Sequence, residues 1–384
     1  MNNPCTENKA GKKRHPSRLY FLDSLRGLAA IYIFLYHMVK MPQPNLEIPR
    51  WAEFVKLGGM GITFFFLVSS FSLYFSRETH KEENFFEFYL RRFFRIAPLF
   101  YLWIILSLAR NFYVFHKSNS MQEIFSNLFF FFNLWPGFQV GFVWASWMIG
   151  VLCIFYFIFP FVHKLIDNFW KASALFFISI FFVSVFKIIV FYIPFGPKEL
   201  EEFLKYTFVR HFPVFSYGIF LYFFYKKFVN NKPPSKSIGF FLLSLALFLF
   251  SSLTSGKMND IIFPTYYWQP VIFSIFILGF AFYPISIFIN KSTQFIGKIS
   301  YSIYLSHPTL IFLMKPVYER IYDWPINLTT RYILCVGITF VILVPISFMT
   351  YKLIEVPGGK LGKKILDKRK AFIDGKQLGF LKIN

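Results

Sequence analysis

The sequence predicts an all-α polytopic membrane protein of about ten transmembrane helices, with both termini cytoplasmic. Three observations predict it. Of the 384 residues, 56% are hydrophobic and only 16% charged, with 59 Phe and a mean hydropathy of +0.50, whereas a soluble domain keeps roughly 25% of its residues charged. Apolar stretches of about 20 residues, the length that crosses a hydrocarbon core of roughly 30 Å, recur ten times. The 41 Lys and Arg residues are also unevenly placed. With the N-terminus inside, 27 fall in cytoplasmic segments and 12 in the opposite loops, which is the asymmetry that sets orientation.

The elements follow in order. A polar, basic stretch 1–18 precedes the first span, 20–39, and no small-residue cleavage site follows it, so the span reads as a retained helix and not a removable signal. Spans 58–76 and 94–113 come next, the latter entered through a cluster of arginines. Leu128–Trp135 is apolar but too short to cross, which predicts an interfacial or re-entrant piece. Spans 142–162 and 172–193 lead to a charged outer loop, 194–210, which carries Glu199, Glu201 and Glu202 and reads as solvated. Spans 211–229, 238–254 and 271–289 follow. Span 296–314 contains Pro308, which loosens a helix and frees backbone groups, and span 333–354 completes the set. The domain plan is a basic cytoplasmic tail 1–18, a transmembrane domain 19–357 and a basic cytoplasmic tail 358–384, both tails lying near anionic headgroups.

Composition also excludes functions. The net charge of +22 is spread between apolar runs and at the two ends, so no basic domain exists to grip a duplex and nucleic-acid binding is not expected. Cys5, Cys153 and Cys335 have no CxxC spacing, which leaves neither a disulfide framework nor a zinc site, and no metal is expected.

Chemistry must therefore come from ionisable residues in or beside the spans, where a charge costs at least about 2.5–3.5 kcal/mol. Asp23 and Arg26 are three apart and can pair on one helix. Arg26 and His37 are eleven apart, almost three whole turns, which puts them on one face about 16 Å apart along the axis. The third span is entered through Arg91-Arg92-Phe93-Phe94-Arg95-Ile96-Ala97-Pro98. Arg92 and Arg95 there share a face and present planar, permanently charged forks suited to phosphate oxygens. A topogenic, positive-inside role explains the same arginines equally well. His307 precedes Pro308 in the ninth span, and Glu355 sits near the cytoplasmic end of the tenth, where it can pair an arginine.

Together these segments resemble the acyltransferase 3 family, integral membrane enzymes that acylate, most often acetylate, carbohydrates at the far side of a bacterial membrane. Leu22-Asp23-Ser24-Leu25-Arg26-Gly27-Leu28-Ala29 through Tyr36-His37 is similar to the family's opening segment with its Arg-x10-His spacing. Arg92-Phe93-Phe94-Arg95-Ile96-Ala97-Pro98 is similar to its Arg-x-x-Arg-Ile-x-Pro element. Ser300-Tyr301-Ser302-Ile303-Tyr304-Leu305-Ser306-His307 and Ile354-Glu355-Val356-Pro357 match its two late motifs. Two positions depart from the pattern: Leu152 stands where the family often has Glu, and Ser70 where it has Gly. The soluble esterase-like domain that some members carry after the last span is not evident.

The resemblance implies a membrane-bound O-acyltransferase of the bacterial cytoplasmic membrane. Its donor would be cytoplasmic acetyl-CoA or another acyl-CoA, with phosphates on Arg92 and Arg95 and on Arg26. Its acceptor would be an envelope glycan such as lipopolysaccharide O-antigen or exopolysaccharide. His37 would act as general base or as the acylated group, with His307 and Glu355 as further catalytic groups and Asp23 as the partner of Arg26. No metal and no specific protein partner is implied. Two other readings of the same residues stay open, a transporter or flippase of a polar substrate and an inactive family member acting as a scaffold.

Overall fold

In the computed structural model, residues 19–42, 45–79, 84–192, 196–230, 232–255 and 265–380 are described, and the regular elements among them are all helical. Cys5 and the tail 1–18 lie outside the described residues. The helices are α1 (Tyr20–Lys40), α2 (Gly61–Thr79), α3 (Phe85–Tyr113), α4 (Met121–Leu128), α5 (Trp147–Leu165), α6 (Phe169–Phe191), α7 (Pro197–Tyr206), α8 (Phe208–Phe224), α9 (Lys236–Thr254), α10 (Thr265–Phe282), α11 (Lys291–Lys298), α12 (Ser300–Leu313), α13 (Lys315–Tyr322), α14 (Leu328–Thr350) and α15 (Val356–Phe380). A 3₁₀ stretch over Arg50–Met60 leads into α2, and π-helical turns over Tyr225–Val229 and Tyr351–Glu355 follow α8 and α14.

By length and composition, seven described helical stretches can cross a membrane: Tyr20–Lys40, Arg50–Arg77, Phe85–Tyr113, Trp147–Leu165, Phe169–Phe191, Lys236–Thr254 and Leu328–Phe372. The other three expected spans fall on the shorter helices α8, α10 and α12. The protein is thus a polytopic helical membrane protein.

Several boundaries differ from the sequence expectation for identifiable reasons. α3 starts at Phe85 because the Asn84 side chain accepts from the Glu87 amide at 2.9 Å, an N-cap. The arginines 91, 92 and 95 therefore lie on the helix itself. α10 stops at Phe282, just before Tyr283-Pro284, since the residue before a proline is driven out of the helical region. The ninth span is broken at Ile299, between α11 and α12. α15 continues the last span as helix far past Pro357. The π turn just ahead of Pro357 is the kind of widened turn that tolerates a residue with no N–H to give. The short apolar piece after Leu128 is a 3₁₀ turn over Phe132–Leu134, as its length requires. The expected solvated loop 194–210 contains α7, whose Phe203 is buried while Glu199, Glu201 and Glu202 are exposed.

α1 is the hub. It packs against the 3₁₀ stretch and α2 on one side and against α11 and α12 on the other. The approach to α11 is backbone to backbone: a Cβ on Gly297 would overlap the Asp23 carbonyl, and one on Gly27 the Thr293 carbonyl. Small residues at such crossings let membrane helices gain packing that lipid cannot supply. α2, α5 and α8 form a second group, and α12 packs on α14. The end of the bundle where α1 begins is called proximal here. α2, α5 and α8 finish there, since Arg26 meets Ser72, Tyr74 meets Ile166, and Phe71 meets Tyr225.

A candidate active site along α1 and α12

In the distal half of the bundle, α1 and α12 bring His37 and His307 together. His307 Nε2 lies 2.9 Å from His37 Nδ1, with ring centroids 4.9 Å apart. The other nitrogen of His307, Nδ1, lies 3.0 Å from the Ile303 carbonyl. A carbonyl oxygen only accepts, so that nitrogen carries the proton. In the neutral ring Nε2 is then an acceptor, and His37 Nδ1–H donates to it. The Ile33 carbonyl, one turn back on α1, also accepts from the His37 ring, and with the proton on Nδ1 the remaining nitrogen, Nε2, carries a lone pair. His307 is wholly buried, while His37 is partly exposed, so the front ring can meet a substrate and the rear ring holds it. Pro308 carries no N–H, which leaves the carbonyl one turn earlier, that of Tyr304, without its helical donor.

Tyr304 extends this layer. Its ring lies 5.7 Å from His307, and its hydroxyl donates to the Ala145 carbonyl at 2.6 Å. Ala145 has φ 62°, a left-handed conformation that costs a non-glycine residue roughly 1–2 kcal/mol. The hydrogen bond from Tyr304 pins that loop onto α12. Beside it Trp147 stacks near Tyr206 and His211, at 5.1 and 5.2 Å.

The proximal half holds the cationic residues. α1 is unbroken from Tyr20 to Lys40, so Arg26 lies on the His37 face about 16 Å lower. Its guanidinium donates to Asp23 Oδ1 at 3.2 Å and to the Ser72 hydroxyl at 2.7 Å, as the three-residue spacing of Asp23 and Arg26 predicts. Arg92 lies over the rings of Phe88 and Tyr156, at 5.4 and 5.5 Å. Arg95 lies on the same helix within electrostatic reach of Glu355. The Ser302 hydroxyl donates to Glu355 Oε1, and Tyr301 donates to the Ile96 carbonyl at 2.9 Å. These contacts tie α12 to α3 and to the last span. Ser302 lies five residues, roughly 8 Å, before His307 on α12.

The structure therefore groups the candidates into a distal pair, His37 with His307, and a proximal set, Asp23 and Arg26 on α1, Arg92 and Arg95 on α3, and Glu355 on the last span. Ser72 lies outside the quoted motifs, and Ser302 and Tyr304 lie within the late one with no role of their own implied. A lone Ser or Tyr in an apolar run carries no signal of what it will face across helices. The two departures also find their places. Ser70 bonds its hydroxyl to the Leu67 carbonyl at 3.0 Å, and the residue facing it is Gly218, where a Cβ would overlap the serine. Leu152 packs against the central apolar core, an environment that suits Leu.

The model of the acyltransferase 3 family, described as an acyltransferase domain, matches residues 19–350. A protein named "Putative acetyltransferase ORF330", from Acidianus two-tailed virus, is 23% identical over 290 residues, covering 74% of this chain and 81% of its own length. No solved structure matches. The motifs carried by α1, α3 and α12 lie within the matched region, and the chain belongs to the acyltransferase 3 family.

Proposed function

We propose that the protein transfers an acyl group, most simply acetyl, from acyl-CoA on the cytoplasmic side to a hydroxyl of an envelope carbohydrate, working in a bacterial cytoplasmic membrane. The observation that carries the proposal is the His37–His307 pair, which leaves one acceptor nitrogen on a partly exposed ring, on the same helix face as Arg26. A phosphate-bearing donor would set its charged end against Arg26, Arg92 and Arg95. Its extended thiol arm would rise along α1. His37 Nε2 would take the proton of the acceptor hydroxyl as that oxygen attacks the thioester carbonyl. The C–S bond then breaks, and the proton passes to the leaving sulfur. His307 would hold the ring and steady its positive charge through the Nδ1–H bond, the part an orienting group plays beside a catalytic imidazole. Glu355, anchored by Ser302, would position Arg95.

The test compares envelope glycans by mass spectrometry from cells lacking the protein, cells restored with the native chain, and cells restored with equally abundant His37→Ala. An acetyl-mass difference restored only by the native chain is the expected result. Three identical profiles, with donor supply verified, would overturn glycan acetylation and leave transport or a scaffold role.

A further inference from the structure

At the distal end, the starts of α2, α5, α8 and α10 surround a group of polar and aromatic side chains that the histidine pair does not use. Its floor is His211 and Thr63, each 3% exposed. The Tyr266 hydroxyl lies 2.6 Å from His211 Nδ1, the Lys205 carbonyl also meets the His211 ring, and the Thr63 hydroxyl donates to Gln269 Oε1 at 2.7 Å. The floor is therefore fixed. Its rim is Trp147, Tyr206, Arg210 and Tyr266, all half-buried. Asn133 stitches that rim to the 3₁₀ turn after α4: its amide nitrogen donates to the Tyr206 carbonyl at 2.7 Å, and its oxygen accepts from the Phe208 amide at 2.8 Å.

Charge at this rim is one-sided. The Arg210 guanidinium lies 4.8 Å from the centre of the Tyr266 ring, and the Lys205 ammonium 5.2 Å from that of Tyr206. Neither side chain makes an ion pair or a hydrogen bond with a described residue, although Glu201 stands one turn before Lys205 on α7. Two other half-buried distal arginines have their oxygens: Arg110 donates to the Asn111 side chain and the Phe142 carbonyl, and Arg331 to the Trp324 carbonyl. The starts of α5, α8 and α10 add the positive ends of three helix dipoles. A cation drawn partly out of water without an acceptor oxygen is costly, and an anionic group on a ligand supplies that oxygen to the planar fork of Arg210.

The location defines the ligand. Trp147 follows Ala145, whose carbonyl accepts from Tyr304 beside His307, so the group flanks the distal pair, away from the arginines of α3. Several side chains separate Arg210 from His37, which suits a part of the substrate remote from the reacting hydroxyl, where binding energy can still be gained. The rings of Trp147 and Tyr206 offer apolar faces against which the C–H face of a sugar packs.

We propose that Arg210, with Trp147 and Tyr206, forms a subsite for an acidic sugar residue of the acceptor. The negative charge is either the carboxylate of a uronic acid or a phosphate ester on the glycan. The inference rests on the carbohydrate-acceptor reading above and adds that the acceptor is anionic.

The test uses the full chain in nanodiscs of phosphatidylcholine, which carry no net charge. Saturation-transfer NMR titrations compare methyl glucuronide, a glucosyl phosphate and the neutral methyl glucoside on the native chain, Arg210→Gln, Arg210→Lys and Arg320→Gln, the last removing equal charge from an exposed position of α13. The native chain is expected to bind one acidic sugar at least tenfold tighter than the neutral one. The glucuronide as the tighter ligand identifies a carboxylate, and the glucosyl phosphate a phosphate. Arg210→Gln should abolish the preference, Arg210→Lys should keep part of it, and Arg320→Gln should leave it intact. Equal binding of the three sugars by the native chain, or a preference that survives Arg210→Gln, overturns the subsite. The native comparison needs no variant, so misfolding of Arg210→Gln does not shield the proposal. Binding is read without donor or acyl transfer. An acidic preference in a protein whose loss changes no glycan supports the subsite and overturns only the acetylation reading, whereas acetyl loss from a neutral glycan with no acidic preference overturns only the subsite.

Discussion

Which nitrogen of His37 carries a proton decides what that residue can do, and two backbone carbonyls bear on it, that of Ile33 directly and that of Ile303 through a second ring. The Ile303 carbonyl fixes His307, and His307 fixes His37. Removing the front ring, as in His37→Ala, is expected to lower turnover by about 10²–10⁴-fold, the contribution of a positioned acid–base group. Changing the rear ring should cost less and should depend on what replaces it. His307→Gln can still offer an oxygen to His37 Nδ1–H and is expected to keep more activity than His307→Leu, with kcat falling and the donor KM little changed. Equal activity of the two variants in a vesicle assay would show that His307 does not act through His37. A second expectation concerns Glu355, a carboxylate inside the last helical stretch that accepts from Ser302. Ser302→Ala leaves that oxygen short of a donor and should cost roughly 1–3 kcal/mol, read as a lowered melting temperature in detergent. Glu355→Gln keeps an acceptor for Ser302 and should melt closer to the native protein.

The elements were legible in sequence wherever one signal dominated, and they were missed where a local device competed with it. Hydropathy alone located α1, because a run of apolar residues after a basic tail has no other reading. It set the start of α3 too late, because the helix begins on the polar Asn84 cap and runs through Glu87 and Arg91 before the apolar stretch starts. It also ran the ninth span back across Ile299 into residues 296–298, the end of the short polar helix α11, because Ile296 and Ile299 flank the break and mask it. What hydropathy cannot see is how close two helices come. Gly27 and Gly297 read as ordinary helix glycines, yet they let α1 and α11 touch backbone to backbone at the level of the Asp23–Arg26 pair. Gly297→Ala must push α11 off α1, an overpacking that costs roughly 1–3 kcal/mol. It should also lower donor affinity by displacing Arg26. Gly337→Ala on α14 is the matched control, because a Cβ there meets nothing within 4 Å. Its melting temperature should not fall. A Gly297→Ala variant as stable as the control would contradict the close crossing.

For the molecule as a whole, the candidate site was legible as a list of residues and not as an arrangement. Sequence named His37 and His307 separately, 270 positions apart, and only the packing of α1 on α12 makes them one hydrogen-bonded pair. The direction of the reaction across the bilayer depends on a further property of the whole chain, its orientation. The excess of Lys and Arg in the proximal segments predicts that this end faces the cytoplasm, which is where the proposed acyl-CoA donor would meet Arg26, Arg92 and Arg95. Two exposed lysines test this directly. Lys171 follows the proximal turn after α5, with its side chain 50% exposed, and Lys56 lies in the 3₁₀ stretch after α1, with its side chain 44% exposed. In a background with Cys5, Cys153 and Cys335 replaced by Ser, a membrane-impermeant maleimide should label Lys56→Cys in spheroplasts with an intact membrane. Lys171→Cys should label only after permeabilisation. The reverse pattern would invert the bundle, put the arginines on the side that lacks CoA, and leave the His37–His307 pair nearer the cytoplasm than the groups assigned to the donor.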